Sequence, residues 1–330
     1  MTVRPLRAVI LGAGLGTRMK SSLPKVMHTV VGRPMIAHVV DRARSVGADE
    51  ITVVTGHGRE LVESWLTEAG GNPAVQFRVQ ERMLGTADAV RSAIDTFADG
   101  AGNVLILYGD VPNLPADELE RVVATHAEGS SALTLLSALD DVEHGYGRIV
   151  RSAEGEAERI VEYRDATESE RALREVNVGV YCVEAAFLVR GLAGLDAENA
   201  AGEFYLTDLV AMAAAEGRPA QVVRAETIAP LHGVNTRVQL AEAERIARDA
   251  CNHRWMLAGV TIRDPATVWI DATVTLGRDV TLESGVCLRG NTRLDDGVYV
   301  EAGVRLEDVH VPAGTRVAAS PPRTVSPVTV

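Results

Sequence analysis

The sequence predicts an α/β domain with a mostly parallel sheet covered by helices on both faces, followed by a short parallel β-helix. Three observations carry this. Continuous apolar runs alternate with amphipathic segments from Arg7 to about Gly233, as expected of strands buried on both faces and helices packed against them. Ile270, Leu276, Leu282, Leu288, Leu294, Val300 and Leu306 recur every six residues without a break. A second set at the same period, Val274, Val280, Val286, Val298 and Val304, is interrupted at Thr292. A six-residue period fits neither a lone helix nor a hairpin and matches short parallel strands stacked coil on coil.

The elements follow in order. "AVILGAG" reads as a buried strand entering a glycine loop, and "MIAHVVDRARSVG" (35–47) as a helix closed by glycine. "EITVVTG" is a strand, "RELVESWLTEAG" a helix, "VQFRVQ" a strand, "GTADAVRSAIDTF" a helix and "NVLILYGD" a strand. "TRVQLAEAERIARDACNHRWMLAG" is a linking helix with Leu240, Ala243, Ile246, Ala247 and Ala250 on one side. The expected organisation is a first domain over 1–234, the linking helix over 235–258, hexapeptide repeats over 259–318 and a loose Pro/Ser/Thr-rich tail over 319–330.

Composition narrows the function. A chain of 330 residues with 46% apolar residues can bury a sizeable core. Its net charge of −12 argues against a broad nucleic-acid-binding face, but not against phosphorylated small molecules held by a local cationic cluster. Cys182, Cys251 and Cys287 are far apart and odd in number, which points away from a disulfide framework and toward a reducing, cytoplasmic compartment. No apolar run approaches membrane-spanning length.

The chemistry concentrates at "LGAGLGTRMKSSLPK". Gly12, Gly14 and Gly16 miss both the dinucleotide fingerprint and the P-loop spacing. Small residues still let backbone N–H groups approach an anion, and Arg18 and Lys25 add full charges. Asp110 ends the apolar strand "VLILYGD" at the sheet edge where α/β ligands bind. A carboxylate there suits Mg²⁺, which binds through one or two protein oxygens plus phosphates and water. The histidines are scattered, and His57 and His144 read as loop residues.

Taken together, "LGAGLGTRMKSSLPKVMH", "GTADA", "LYGDVP", "GYGRIV", "VEYRDAT", "VNVGVY", "GEFYLTD" and "GVNTRVQL" resemble the nucleotidyltransferases that make nucleotide sugars. The resemblance is to the N-acetylglucosamine-1-phosphate uridyltransferase (UDP-N-acetylglucosamine pyrophosphorylase) half of a bifunctional bacterial family. It implies a Rossmann-like nucleotidyltransferase fold followed by a short left-handed parallel β-helix. It also implies Mg²⁺-dependent attack of a sugar 1-phosphate on the α-phosphorus of UTP. By this resemblance Leu11, Gly12, Ala13 and Gly14 supply the loop under the nucleotide, and Arg18 and Lys25 neutralise its phosphates. Gln80 reads the base with an amide that offers donor and acceptor. Gly85, Thr86, Tyr108, Gly109 and Asp110 continue the pocket; Gly147, Glu162 and Asn177 face the sugar; Asn235 joins Asp110 on the metal.

The sequence departs from the family at Asp88, where histidine is frequent, at Arg164, where lysine is common, and at Val178, where threonine is frequent. The family's β-helix is long and bears an acetyltransferase site. Here the repeat covers about two to three coils. The resemblance therefore implies that the acetyltransferase half is largely absent, in a naturally monofunctional or a shortened chain. It also raises a homo-oligomer, a trimer through the β-helix. Rival readings are a glucose-1-phosphate uridylyl- or thymidylyltransferase and a catalytically silent sugar-nucleotide-sensing subunit. The silent subunit is expected to have lost Lys25 or Asp110, and both are present.

Overall fold

The computed structural model describes residues 5–141 and 145–319. His144 and all but the first residue of the expected tail lie outside these. The chain divides into two compact units, Met1–His28 with Pro34–Leu240, and Thr29–Arg33 with Ala241–Val330.

The strands up to residue 224 are β1 (Leu6–Leu11), the short pair β2 (Thr29–Val30) and β3 (Arg33–Pro34), of which Thr29–Arg33 counts with the second unit, and then, in the first unit, β4 (Glu50–Thr55), β5 (Val75–Val79), β6 (Asn103–Tyr108), β7 (Leu133–Leu139), β8 (Arg148–Arg151), β9 (Ala157–Val161), β10 (Glu175–Glu184) and β11 (Gln221–Arg224). The main sheet runs β11-β7-β10-β6-β1-β4-β5, with β8 and β9 appended through β10. β1 is parallel to β4 and β6, whereas β10 is antiparallel to both β6 and β7. The sheet is thus parallel at its centre and mixed on one side.

Both faces are buried. Ala8, Ile10, Ile51, Leu105 and Leu107 pack toward α1 (Met35–Ser45), α2 (Arg59–Ala69) and α4 (Ala116–Glu128). Val9, Val54, Val104 and Ile106 pack on the opposite face toward α3 (Thr86–Arg91), α6 (Ala185–Gly194) and α7 (Asp208–Ala215); the short α5 (Glu168–Arg171) lies against β8 and buries no residue. This is why the strands read as unbroken apolar runs rather than alternating ones. The "GTADA" helix is shorter than its pattern suggests: α3 stops at Arg91 and a separate 3-10 turn follows over Ile94–Thr96.

The second unit takes most of α8 (Arg237–Leu257) and ten short strands between Thr261 and Val317. Ile270 pairs with Leu288 and Leu288 with Leu306, each eighteen residues on, so three hexapeptides make one coil. The interior is a stack of valines and leucines, all nearly inaccessible. Thr292 occupies a valine slot with no exposure, and its hydroxyl donates to Arg289 O at 2.6 Å, which satisfies the buried polar group. The Thr29–Arg33 segment belongs here: Val31 N donates to Glu244 Oε2 and Ala272 N to Val31 O, both at 2.8 Å.

Candidate active site

Three parallel strands set the floor of the site. Register pairs Leu11 of β1 with Val54 of β4 and with Tyr108 of β6, so their C-terminal ends lie side by side. The ladder continues one residue further, with Gly12 N on Val54 O and Gly109 N on Leu11 O, both at 2.9 Å. A Cβ at Gly109 would lie 2.4 Å from Ile36 Cδ1, so this glycine lets β6 run flush against α1 and delivers Asp110 to the loop. Beyond Gly12 the chain leaves the ladder. Among the described residues, the N–H groups of Ala13, Gly14, Leu15 and Gly16 donate to nothing. Gly12 therefore gives its N–H to the sheet, and the anion-ready donors are the four that follow.

Gly16 has a left-handed φ of +61°, and a Cβ there would lie 2.7 Å from Lys25 Cβ. The loop folds back over Lys25 for this reason. Lys25 Nζ donates to Asp110 Oδ2 at 2.5 Å and to Asn235 Oδ1 at 3.0 Å. One ammonium thus joins the two oxygens that the resemblance assigns to a metal. Both side chains of the ion pair are about 85% buried, so solvent screens them little. Asn235 is fixed from two directions. Val234 N donates to Asp110 O at 2.9 Å. Asn235 N donates to Gln239 Oε1 while Gln239 N donates to Thr236 Oγ1, a reciprocal cap that starts α8. Gly233 N donates to Tyr146 Oη, whose hydroxyl also pairs with His232 Nδ1. Burial is the chief cause pushing the Tyr146 phenol up to about 12.

The two oxygens that converge on Lys25 Nζ are hard donors of the kind a small divalent cation takes. No group of three or more His, Cys, Asp or Glu suited to a metal occurs among the described residues. The donor set therefore fits a cation completed by phosphate and water, and not a closed protein cage.

Above this floor lies a cavity of about 300 Å³, lined by Leu11, Gly12, Ala13, Gly14, Lys25, Gln80, Gly85, Thr86, Tyr108 and Asp110 from the sequence-based set. Val26, Met83, Ala89 and Glu203 complete the lining and were not legible as site residues. Gly56, also unforeseen, shapes the wall, because a Cβ there would lie 2.7 Å from Ala13 O. The far wall forms where 84–87 pairs with 204–206: Phe204 N donates to Leu84 O, Ala87 N to Phe204 O, and Leu206 N to Thr86 Oγ1. Gly85, at φ +111°, has no room for a Cβ, which would lie 2.5 Å from Phe204 O.

Gly147, Glu162 and Asn177 form a second group outside this lining. Asn177 N donates to Gly147 O at 2.9 Å, and a Cβ at Gly147 would lie 3.5 Å from Glu162 Oε1. Thr207 donates to Glu162 Oε1 at 3.0 Å. Burial holds the Glu162 carboxyl above the usual carboxylate range; the Thr207 hydroxyl opposes this, and Asp208, Asp165 and Glu203 add to it. Asn177 donates one amide hydrogen to Tyr181 Oη at 2.6 Å and accepts from Gly179 N at 3.1 Å. Gly179 in turn packs against the Tyr108 ring, so Tyr108 is the partition between the two groups. Burial, then the charges of Glu162 and Asp110, hold its phenol protonated far above the ordinary range. Arg18 is exposed, lies outside the cavity lining and makes no hydrogen bond or ion pair among the described residues. Lys20 is exposed as well, and so is His57.

The expectation for Gln80 needs correcting. Its Nε2 donates to Asp88 Oδ2 at 2.8 Å and to Gly85 O at 3.2 Å, so the amide has no hydrogen left for a ligand. The departure at Asp88 and the candidate base reader are one unit.

The family model for the MobA-like NTP transferase domain matches residues 8–178. The chain is 45% identical over 301 residues to the bifunctional protein GlmU of Trichlorobacter lovleyi, covering 91% of this chain and 65% of that protein. It is 43% identical to the bifunctional protein GlmU of Bordetella petrii, covering 95% of this chain and 68% of that protein. The chain thus spans about two thirds of the length of these curated relatives. A solved structure from Bacillus anthracis, provisionally named a glucose-1-phosphate thymidylyltransferase, shares the fold with a TM-score of 0.61 at 20% identity, covering 74% of this chain and 96% of its own. Among the described residues no helix is long and apolar enough to cross a membrane.

Proposed function

The chain belongs to the MobA-like NTP transferase family and, within it, with the GlmU proteins; on that premise we propose that it transfers a uridylyl group from UTP to N-acetylglucosamine 1-phosphate, releasing pyrophosphate. The observation that supports this most is the Lys25–Asp110–Asn235 cluster under a cavity whose loop has four uncommitted N–H groups. A phosphate oxygen of the sugar phosphate attacks the α-phosphorus of UTP in line. The new P–O bond forms as the bond to the β-phosphate oxygen breaks, and the electron pair leaves with pyrophosphate. The nucleophile is already anionic near neutral pH, so the site needs no strong base, and none of the histidines is required.

The barrier is the approach of two anions, which positioning and fixed positive charge lower. Lys25 supplies a buried charge at the floor, Arg18 an exposed one two residues beyond the loop, and Ala13 to Gly16 a set of oriented dipoles. Asp110 and Asn235 would hold Mg²⁺, which supplies charge neutralisation at the phosphates. In this reading Glu162 and Asn177 contact the sugar, and Tyr108 divides sugar from nucleotide. Asn177 has one amide hydrogen and one lone pair left for that role. The test is pyrophosphate release from UTP, CTP, ATP, GTP and dTTP, each paired with the 1-phosphates of N-acetylglucosamine, glucose and galactose. The UTP and N-acetylglucosamine 1-phosphate pair is expected to dominate. Preference for dTTP or for glucose 1-phosphate would replace this reading with a neighbouring one.

A further inference from the structure

We propose that Asp88 is a specificity-determining positioning residue: it locks the Gln80 amide so that the cavity presents an acceptor, and only an acceptor, to the nucleotide base. The inference rests on the uridylyl reading above and extends it to a residue that makes no contact of its own with the base.

Gln80 is buried, with 5% exposure, and its backbone N–H is tied to Thr55 O at 2.9 Å, so the side chain has one seat. In that seat Nε2 faces two oxygens, Asp88 Oδ2 at 2.8 Å and Gly85 O at 3.2 Å. Both oxygens are carried on anchored backbone. Asp88 is in the first turn of α3, and Gly85 is wedged at φ +111° against the Phe204 backbone. Turning the amide over would set Gln80 Oε1 against both oxygens with no hydrogen between them, while Nε2 lost two partners. A carboxylate and a carbonyl only accept, so one orientation survives. Nothing among the described residues donates to Gln80 Oε1, and that atom is not sealed from solvent. On a side chain that lines the cavity, Oε1 is the end left to a ligand.

We place Oε1 against the ring nitrogen of the base's pairing edge, since against the exocyclic 4-position the same acceptor would take an amino hydrogen of cytosine and favour CTP; in the first seat a lone acceptor selects bases by the hydrogen on that nitrogen. Uracil N3 carries one and donates. Cytosine N3 and adenine N1 carry a lone pair, which would face the Oε1 lone pair unbridged. Thymine and guanine keep their N–H, so the lock does not sort these from uracil; that falls to the shape of the cavity.

The experiment compares kcat/KM for UTP and CTP, at saturating sugar phosphate, in the wild-type chain, Asp88→Asn and Asp88→Ala. Asp88→Asn is nearly isosteric and offers both a donor and an acceptor, so Gln80 can take either orientation; Asp88→Ala removes the lock. The UTP:CTP ratio is expected to fall by about tenfold or more in both variants, as when a site built around one hydrogen bond loses its directionality. The KM for sugar phosphate stays at the wild-type value. A purely structural role for Asp88 would lower activity with both nucleotides alike. Binding of 3-methyluridine triphosphate to the wild-type chain is a second readout that does not depend on a variant's folding, and it is expected to be at least about tenfold weaker than UTP. An unchanged UTP:CTP ratio in both variants, or equal binding of the methylated nucleotide, overturns the lock and leaves the uridylyl reading standing. A wild-type chain that does not prefer UTP overturns that reading, and the lock with it.

Discussion

The two units use similar polar residues in opposite ways. In the β-helix, side chains find partners in an adjacent coil: Tyr299 donates to Glu283, Arg316 pairs with Glu301 and His310 with Asp295, while the buried Thr292 hydroxyl donates to Arg289 O within its own coil. At the edge of the α/β sheet, several groups are left open. Four loop N–H groups, the Arg18 guanidinium and Gln80 Oε1 have no partner among the described residues. Yet the groups that position them are held by close packing or a hydrogen bond: Gly16 against Lys25, Gly85 against Phe204 and Asp88 on Gln80. A repetitive stack satisfies itself because each coil presents the same donors and acceptors to the next. A parallel sheet ends in loops that need not, and that surplus is where a ligand can supply the missing partners.

The comparison breaks first at Asp110. Asp110→Ala should cut pyrophosphate release by at least about 10²-fold, the scale of losing one charge-stabilising group, with the melting temperature of the β-helix unit unchanged. Next, Lys25→Ala should lower turnover by roughly 10²-fold, whereas Lys20→Ala should stay within about twofold, because Lys20 is exposed and outside the lining. Equal effects would mean that general surface charge, and not the buried cluster, does the work.

Two buried carboxyls sharpen the contrast further. Burial raises both Glu162 in the α/β unit and Glu244 in the β-helix unit. A carboxyl whose folded pKa is raised contributes stability that is fully present below its unfolded pKa and is lost as pH rises through the folded one. Glu162→Gln should therefore gain melting temperature over wild type as pH increases through that window, while transfer falls. Glu244→Gln should show a stability trend of the same sign with transfer retained, since a glutamine carbonyl can still accept from Val31 N. Melting curves from pH 4 to 8 alongside initial rates check both. The smallest effect is expected at Thr292→Val, which restores the valine period but removes one of the two hydrogen bonds to Arg289 O, leaving the one from Asp308 N: a loss of at most about 1 kcal/mol with transfer untouched.

What was legible in the sequence follows the range of the signals. Helix and strand periods are local, so α1, α2, β4, β5, β6 and α8 fall within two residues of their expected ends. The hexapeptide period is local too, and the pairings of Ile270 with Leu288 and of Leu288 with Leu306 close on the eighteen-residue spacing it implies, whereas the last pairings, Leu294 with Val311 and Val300 with Val317, close on seventeen. Strand direction is not local. β10 is buried through eight consecutive residues, and such a run reads the same whether it lies parallel or antiparallel to its neighbours. The same limit governs the site. Strand ends and glycines marked the loop and Asp110, but Glu203 and Thr207 reach their partners only through the 84–87 pairing and the Glu162 contact. Asp88 reads in the sequence only as a departure from the family's histidine, because the amide it holds lies eight residues back across a turn.

The measurement that bears most directly on this contrast is amide hydrogen exchange of the whole chain with and without UTP and Mg²⁺. The open N–H groups of Ala13 to Gly16 should slow markedly once phosphate oxygens accept from them, and the β-helix amides, already paired coil to coil, should not change. Unaltered exchange in the loop at saturating UTP, or protection confined to the β-helix, would contradict the assignment of the sheet-edge cavity as the nucleotide site.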